Sequence, residues 1–244
     1  SADLKISLKI CCRMIMLDSK TIMYAHLPPL QKQFAAMGPT FMSSYALQKL
    51  LDDYAFDTVL DIGCGQGLHA EVFAMYGKKV TGVDFGRSEY FLRNTHERGF
   101  ELITGDFNEA ELDKQYDCIW CSHVLEHQLN PNQFLKKVAA SARPNGIICI
   151  TVPPLKEEIV GGHVSLWNAG LVLYHLVMAG INCKDAAILK YGYNISVIVR
   201  NTPITLPNDL SFDVGDLEKL ADYFPSFVHQ GFNGDILIHN WTTS

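Results

Sequence analysis

The sequence predicts an α/β protein, with a mostly parallel sheet and helices packed on both faces. Two observations carry that expectation. From residue 57 to residue 200, short apolar runs alternate with segments of helical periodicity, several of which close on a glycine. Strands that alternate with helices pair in parallel through right-handed crossovers, and this covers both sheet faces. The composition agrees: 48% hydrophobic and 19% charged residues over 244 positions can fill a substantial core.

The elements follow in order. "LKISLKI" alternates apolar and polar residues, the period of a half-buried strand. "IMLDSKTIMYAH" has the pattern of a hairpin turning at Asp18, Ser19 and Lys20, and Pro28-Pro29 breaks what precedes it. Residues 1–33 thus form an N-terminal extension that either covers a cleft or pairs between the subunits of a homodimer; the sequence leaves both open. "TFMSSYALQKLLDDY" has helical spacing. "DTVLDIG" is a first core strand, and "LHAEVFAMYG" a helix closed by Gly77. "KKVTGVDF", "FELITGDF" and "YDCIWCSH" are further strands, with the helix "SEYFLRNTHERG" after the first of them. "NPNQFLKKVAASARPNG" is a helix and its exit turn, and "IICITVP" the strand that follows. "LWNAGLVLYHLVMAG" is a helix with Asn168 at its cap. "DAAILKYG" and "NISVIVRN" add two strands. The core domain is placed at 34–202, with an accessory segment at 203–244 that ends in the strand "GDILIHNW".

The bulk numbers exclude several classes. A formal net charge of −6 offers no broad surface for phosphates, so nucleic acid is disfavoured as a partner. No run reaches the length of a membrane span, and "AGLVLYHLVMAGI" carries His175, which favours a buried helix. The first residues lack the apolar core and cleavage site of an export signal. Seven cysteines, mostly in apolar segments, then read as reduced thiols of a cytoplasmic protein. Cys118 and Cys121 have the spacing of a redox pair, but on a strand they point to opposite faces.

The sharpest motif is "VLDIGCGQGLHA". A strand ends at Asp61 and Ile62, and Gly63, Gly65 and Gly67 follow at alternate positions. Such glycines turn the backbone tightly and bring a ligand against bare main chain, beside the free N–H groups of the next helix. Asp84, at the end of the following strand, is placed to accept hydrogen bonds from ribose hydroxyls. The spacing is G-x-G-x-G, and Asp61 is a poor neighbour for a pyrophosphate. It suits a ligand with positive charge, such as an ammonium or a sulfonium. A nicotinamide oxidoreductase is therefore the weaker reading.

These stretches resemble the class I S-adenosylmethionine-dependent methyltransferases, in their small-molecule branch of type 11 or quinone O-methyltransferase-like domains. "LDIGCGQG" resembles the first motif, "VTGVDFG" the ribose-binding strand, "GDF" the adenine-side acid, and "YDCIWCSHVLEHQLNP" the fourth strand with its loop. The resemblance implies a Rossmann-like, seven-stranded, mostly parallel sheet with an antiparallel last strand. It implies S-adenosylmethionine as cofactor. Asp61 would orient the glycine loop or the ammonium, and Gly63, Gly65 and Gly67 would face the methionine part. Asp84 would hold the ribose, with Phe85 against the adenine. Asp106 would accept from the adenine amino group, with Phe107 packing on the ring, and Cys121 would pass the cofactor with its backbone. The alternative for Asp84 and Asp106 is that each merely caps the next helix. The implied activity is methyl transfer to oxygen or nitrogen of a small-molecule or glycan-type acceptor. RNA 2′-O-methylation with a metal, or a methyltransferase-like interaction protein, are the other readings.

The acceptor decides what "SHVLEH" is for, because a base is needed only if the attacking group is protonated. Three readings stay open. The loop is ordinary; or His123 or His163 is a metal-free general base; or a divalent metal is held. On a helical turn, positions i, i+3 and i+4 share one face, so His123, Glu126 and His127 would converge, and His163 from "GGHVSLW" would complete the set. The resemblance to metal-assisted small-RNA methyltransferases supports the metal reading, although His123 stands where they have a glutamate. Nitrogen-rich ligands favour zinc or iron over magnesium. Catalytic expectations therefore fall on His123, His127 and His163. Trp167, Tyr24, Met42 and Tyr45 fit either a core or a substrate pocket.

Overall fold

The computed structural model describes residues 41–92 and 99–241. The expected N-terminal strand and hairpin, Tyr24, and the second half of the "SEYFLRNTHERG" helix lie outside the described residues. The described chain begins with helix α1, Ser44–Asp53, followed by β1, Thr58–Ile62, and α2, Leu68–Met75. Next come β2, Lys79–Asp84; the short α3, Glu89–Leu92; β3, Glu101–Thr104; and β4, Tyr116–Ser122. A single 3-10 turn, Leu125–His127, leads to α4, Pro131–Ser141, and directly into β5, Ala142–Val152. Helix α5, Ala169–Met178, precedes the hairpin of β6, Ala187–Tyr191, and β7, Asn194–Arg200. The tail holds α6, Asp216–Lys219, and β8, Ile238–His239.

The strands form one sheet in the order β3-β2-β1-β4-β5-β7-β6-β8. Strands β1 to β5 pair in parallel. Strand β7 inserts antiparallel between β5 and β6, and β8 pairs antiparallel with β6. The expected seven strands are present, and the two residues of β8 add an eighth from within "GDILIHNW". Strand β5 starts five residues earlier than the apolar run does. Ala142 pairs with Tyr116, the register then shifts, and Ile147 pairs with Cys118. Asn145 has φ 60°; the Pro-Asn-Gly turn is a bulge inside the strand, not a break before it.

Alternation along each strand separates two cores. Leu60, Ile62, Ile119, Cys121, Ile148 and Ile150 pack with α4 and α5 on one face. Val59, Cys118, Trp120, Ile147 and Cys149 pack with α1 and α2 on the other. Cys118 and Cys121 thus lie on opposite faces, as strand geometry requires. Leu220, Phe224 and Val228 join the first core, so the tail packs onto the same domain. Among the described residues no helix is long and apolar enough to cross a membrane. The Asn168 side chain caps α5 by accepting from Leu171 N at 2.8 Å.

This topology positions the site. From β1 the chain moves outward through β2 and β3, then returns to β4 on the other side of β1. A crevice opens at such a reversal, beyond the carboxyl ends of the strands. The glycine loop follows β1 there, and "SHVLEH" follows β4.

Candidate active site

The glycine loop is tied to the end of β2. Gly63 N and Cys64 N donate to the Val83 carbonyl at 2.7 and 3.2 Å, and Gly67 N to the Cys64 carbonyl at 2.8 Å. Gly65 N donates to Asp84 Oδ2 at 2.9 Å, and Gly86 N to Asp84 Oδ1 at 2.9 Å. Asp84 therefore braces two turns with one carboxylate. Each of its oxygens has a second lone pair, so a ribose hydroxyl has acceptors left. Phe85 is 55% exposed, a ring face open to stacking. Gly86 belongs to the quoted "VTGVDFG" motif, yet its amide contact is visible only in three dimensions.

Asp61 is buried and its Oδ2 has no hydrogen-bond partner. Burial, reinforced by the Asp84 charge, pushes its carboxyl well above the ordinary range, while the Ala70 amide opposes the shift. An acid held in this way next to bare glycine main chain favours a cationic neighbour. Asp106 Oδ1 accepts from Asn108 N at 2.8 Å and Asn108 Nδ2 at 3.0 Å, a local turn cap. Phe107 is buried edge-on to Phe134 at 5.4 Å, so its ring is largely committed to the core. Cys121 is buried, and burial pushes its thiol up; its strand pairs on both sides, with Ile62 and with Ile150.

Beyond β4 and β5, Glu126, His127 and His163 each present a ligand atom, all within 4.8 Å of one another. The expected fourth member, His123, is not in this group. The 3-10 turn starts only at Leu125, and His123 precedes it with φ 56°. The i, i+3 contact of His123 with Glu126 still forms, but across that left-handed step His123 does not join the set that Glu126 makes with His127 and His163. The His123 ring instead runs from Asn194 Oδ1, 3.0 Å from Nε2, to Glu126 Oε1, 3.3 Å from Nδ1.

The loop after β5 is fastened to the turn after β4 through one carbonyl. Val164 N donates to Glu126 O at 2.9 Å, and Ser165 N donates to it at 3.3 Å. That brings the His163 and His127 rings edge to face, with centroids 4.8 Å apart. His127 Nδ1 donates to the Gly162 carbonyl at 2.7 Å, which leaves Nε2 with its lone pair, 4.0 Å from Glu126 Oε1. Glu126 is fully buried, and neither carboxylate oxygen has a hydrogen-bond partner. Burial lowers the pKa of His163; His127, His123 and Lys156 add to this, and Glu126 opposes it. Next to His163 lies a pocket walled by Pro153, Pro154, Trp167 and Tyr193. Lys156 sits 5.0 Å over the Tyr193 ring. Of the other aromatic expectations, Tyr45 packs edge-on to Tyr191 at 4.9 Å, away from the residues that line this pocket.

His69, in the first turn of α2, links the cofactor side to the chain before α1. Its Nε2 donates to the Met42 carbonyl at 2.9 Å, and its ring lies edge-on to Trp120 at 5.1 Å. Burial lowers its pKa to about 4; the His123 charge adds to this and the Met42 contact opposes it. The unfolded chain therefore takes up the proton first as pH falls. The stability contribution is expected to be complete above about pH 6.5 and lost towards pH 4, on the order of 3 kcal/mol. Urea unfolding at pH 7 and pH 5 should differ less for His69→Phe than for the parent. An equal difference in both proteins would show that His69 is not the source.

A family profile described as a methyltransferase domain matches residues 34–176, a span that holds the glycine loop, Asp84 and the Glu126–His127–His163 cluster. The chain belongs to the class I S-adenosylmethionine-dependent methyltransferase family. A ubiquinone biosynthesis O-methyltransferase of Aeromonas salmonicida is 35% identical over 99 residues, which are 38% of this chain and 42% of that protein. The chain thus spans less than half the length of that curated relative. Among solved structures, a methyltransferase from Aquifex aeolicus has a TM-score of 0.54 at 20% identity, covering 72% of this chain and 100% of the other. A 1,6-didemethyltoxoflavin-N1-methyltransferase from Burkholderia thailandensis has a TM-score of 0.51 at 18% identity, covering 76% and 93%. At these identities the structural likeness speaks for the methyltransferase fold. The sequence motifs missed Asn194 and Gly162. Gly162 had a signal, as the second glycine of "GGH", directly before His163; Asn194 had none, since its partners are remote in sequence.

Proposed function

We propose that this chain transfers the methyl group of S-adenosylmethionine to a hydroxyl oxygen of a small-molecule acceptor. The observation that carries this reading is the buried Glu126 carboxylate, which accepts no hydrogen bond, lies 3.3 Å from His123 Nδ1 and is grouped with His127 and His163 at the mouth of β4. S-adenosylmethionine supplies an activated methyl and a neutral leaving group. Asp84, Gly63 and Gly65 would hold its nucleoside and methionine parts, and Asp61 its positive charge. A hydroxyl, unlike a neutral amine, must lose its proton during attack. Glu126, His127 and His163 are grouped to take it. Pro153, Pro154, Trp167 and Tyr193 wall the small pocket beside His163, and an apolar part of the acceptor would lie against them. The net charge of −6 continues to disfavour RNA; salt-sensitive RNA binding would revive that reading.

A second reading adds a divalent ion at Glu126, His127 and His163. The observation that favours it is the His127 contact with Gly162, because metal-binding histidines commonly donate their other nitrogen to a carbonyl. Two imidazoles and one carboxylate suit zinc or iron(II), and the ion would acidify the acceptor hydroxyl. Two measurements test the function together. Titration calorimetry should show S-adenosylhomocysteine binding; no binding would favour a methyltransferase-like interaction protein. Elemental analysis of protein purified without a histidine tag should find zinc or iron. No ion, and a melting temperature unmoved by added zinc, iron or magnesium, would leave the proton-acceptor reading. Gly162→Ala places a Cβ 3.0 Å from His127 Nδ1. It should weaken zinc binding by about 10-fold or more with S-adenosylhomocysteine affinity unchanged. Undiminished zinc affinity would count against the site.

A further inference from the structure

We infer that Asn194 is a positioning residue for the acceptor end of the site: its side-chain oxygen selects the Nε2–H form of His123 and holds the Nδ1 edge of that ring against Glu126. That this end receives the acceptor rests on the function proposed above; the tautomer does not.

Two groups converge on Asn194 Oδ1. Ser43 N lies 3.1 Å away and His123 Nε2 3.0 Å away. A backbone amide only donates, so the atom facing Ser43 is the oxygen, and the amide nitrogen is left to donate to the Tyr191 carbonyl at 3.3 Å. A carbonyl oxygen cannot donate, so His123 Nε2 carries the hydrogen. The Nδ1 edge then meets Glu126 Oε1 at 3.3 Å, while the ring face stacks on Tyr193 with an interplanar angle of 16°.

The backbone points to the same node. Five non-glycine residues among those described have positive φ, and Ser43 and His123, at 58° and 56°, are two of them. Such strain persists only where the surroundings over-determine it, and it gathers at functional sites. Here one buried oxygen accepts from both residues. Each strained residue has a further tie: the Ser43 and Ser122 hydroxyls are 2.6 Å apart, and His123 N donates to the Thr151 carbonyl at 2.8 Å. Asn194 is itself held rigidly, because it opens β7 and pairs with Tyr191 across the hairpin turn. With Nε2 engaged, His123 cannot turn that nitrogen to the Glu126, His127 and His163 cluster. Its Nδ1 edge stays 3.3 Å from Glu126 Oε1.

Long-range ¹⁵N–¹H correlation of the imidazole rings, recorded over a pH series, reads directly which ring nitrogens carry hydrogen. His123→Gln identifies the signals. The parent should show His123 with the hydrogen on Nε2. Asn194→Asp keeps an acceptor for both donors and should preserve that pattern. Asn194→Leu removes the acceptor and should move His123 to Nδ1–H, towards the Glu126 carboxylate, or to a mixture. S-adenosylhomocysteine affinity should stay unchanged in both Asn194 variants. A parent spectrum with the hydrogen on Nδ1, or an Asn194→Leu spectrum identical to the parent, overturns the proposal. If Asn194→Leu does not fold, the parent and Asn194→Asp spectra decide it. Failure of the functional reading looks different: Nε2–H is retained, but the parent does not bind S-adenosylhomocysteine.

Discussion

Asp84→Ala is expected to weaken S-adenosylhomocysteine binding by at least about 100-fold. The carboxylate accepts from Gly65 N and Gly86 N, both at 2.9 Å, so one substitution releases the glycine loop and the turn after β2 together. A hydrogen bond to a charged group contributes about 1.5–3 kcal/mol, and each factor of ten in affinity corresponds to about 1.4 kcal/mol. Loss of the two braces alone reaches the stated change, before any lost contact with the ribose is counted. Asp84→Asn keeps one acceptor oxygen and should fall between parent and alanine. Calorimetry on the folded variants measures all three. Parent-like affinity in Asp84→Ala would mean that the carboxylate neither shapes the loop nor touches the ligand.

Gly63→Ala is expected to cost about 2–5 kcal/mol of stability and lower Tm by roughly 10 °C. Two separate causes add. Gly63 has φ +70°, where a side chain is disfavoured by about 1–2 kcal/mol. An added Cβ would also stand 2.3 Å from Val124 Cγ2, so Val124 must move, at about 1–3 kcal/mol for overpacking. Val124 lies between His123 and Leu125, so the displacement carries into the turn that presents Glu126. Gly65→Ala is the control. It has φ +52°, but its nearest neighbour to an added Cβ is Tyr90 Cβ at an ordinary 3.5 Å. It should show only the backbone cost. Equal Tm losses for the two variants would exclude crowding against Val124 as the cause. The close approach packs the glycine loop directly against the turn after β4.

Much of the cofactor side was legible in the chain because its signals are local. The glycines sit within a few residues of the strand they follow, and Asp84 closes the next strand. A two-residue period and a helical period distinguish the elements between them. The histidine cluster beyond β4 was half legible. "LEH" and "GGH" named Glu126, His127 and His163, but the expectation that His123 joined them assumed a helical turn from residue 123. With the left-handed φ of His123, the ring still reaches Glu126 at 3.3 Å but does not join His127 and His163, and no pattern of neighbouring residues announces it. Phe107 likewise had the right position for an adenine neighbour, yet it packs on Phe134, because α4 supplies an apolar surface that only the folded chain brings near.

By itself, the sequence determined the alternation of strands and helices, the order in which the chain visits them, the glycine turn, and the acid that follows it. Each of these depends on residues close together along the chain, where side-chain period and backbone freedom act directly. The tertiary structure alone decided that the Glu126 carbonyl ties down the loop after β5, that Gly162 fixes the His127 tautomer, and that Asn194 draws His123 aside. Those contacts span 35 residues between His127 and Gly162 and 71 between His123 and Asn194. Hydrogen bonds of this kind form only after the sheet has set β4, β5 and β7 side by side. Their partners are chosen by distances across strands, which spacing along the sequence does not encode.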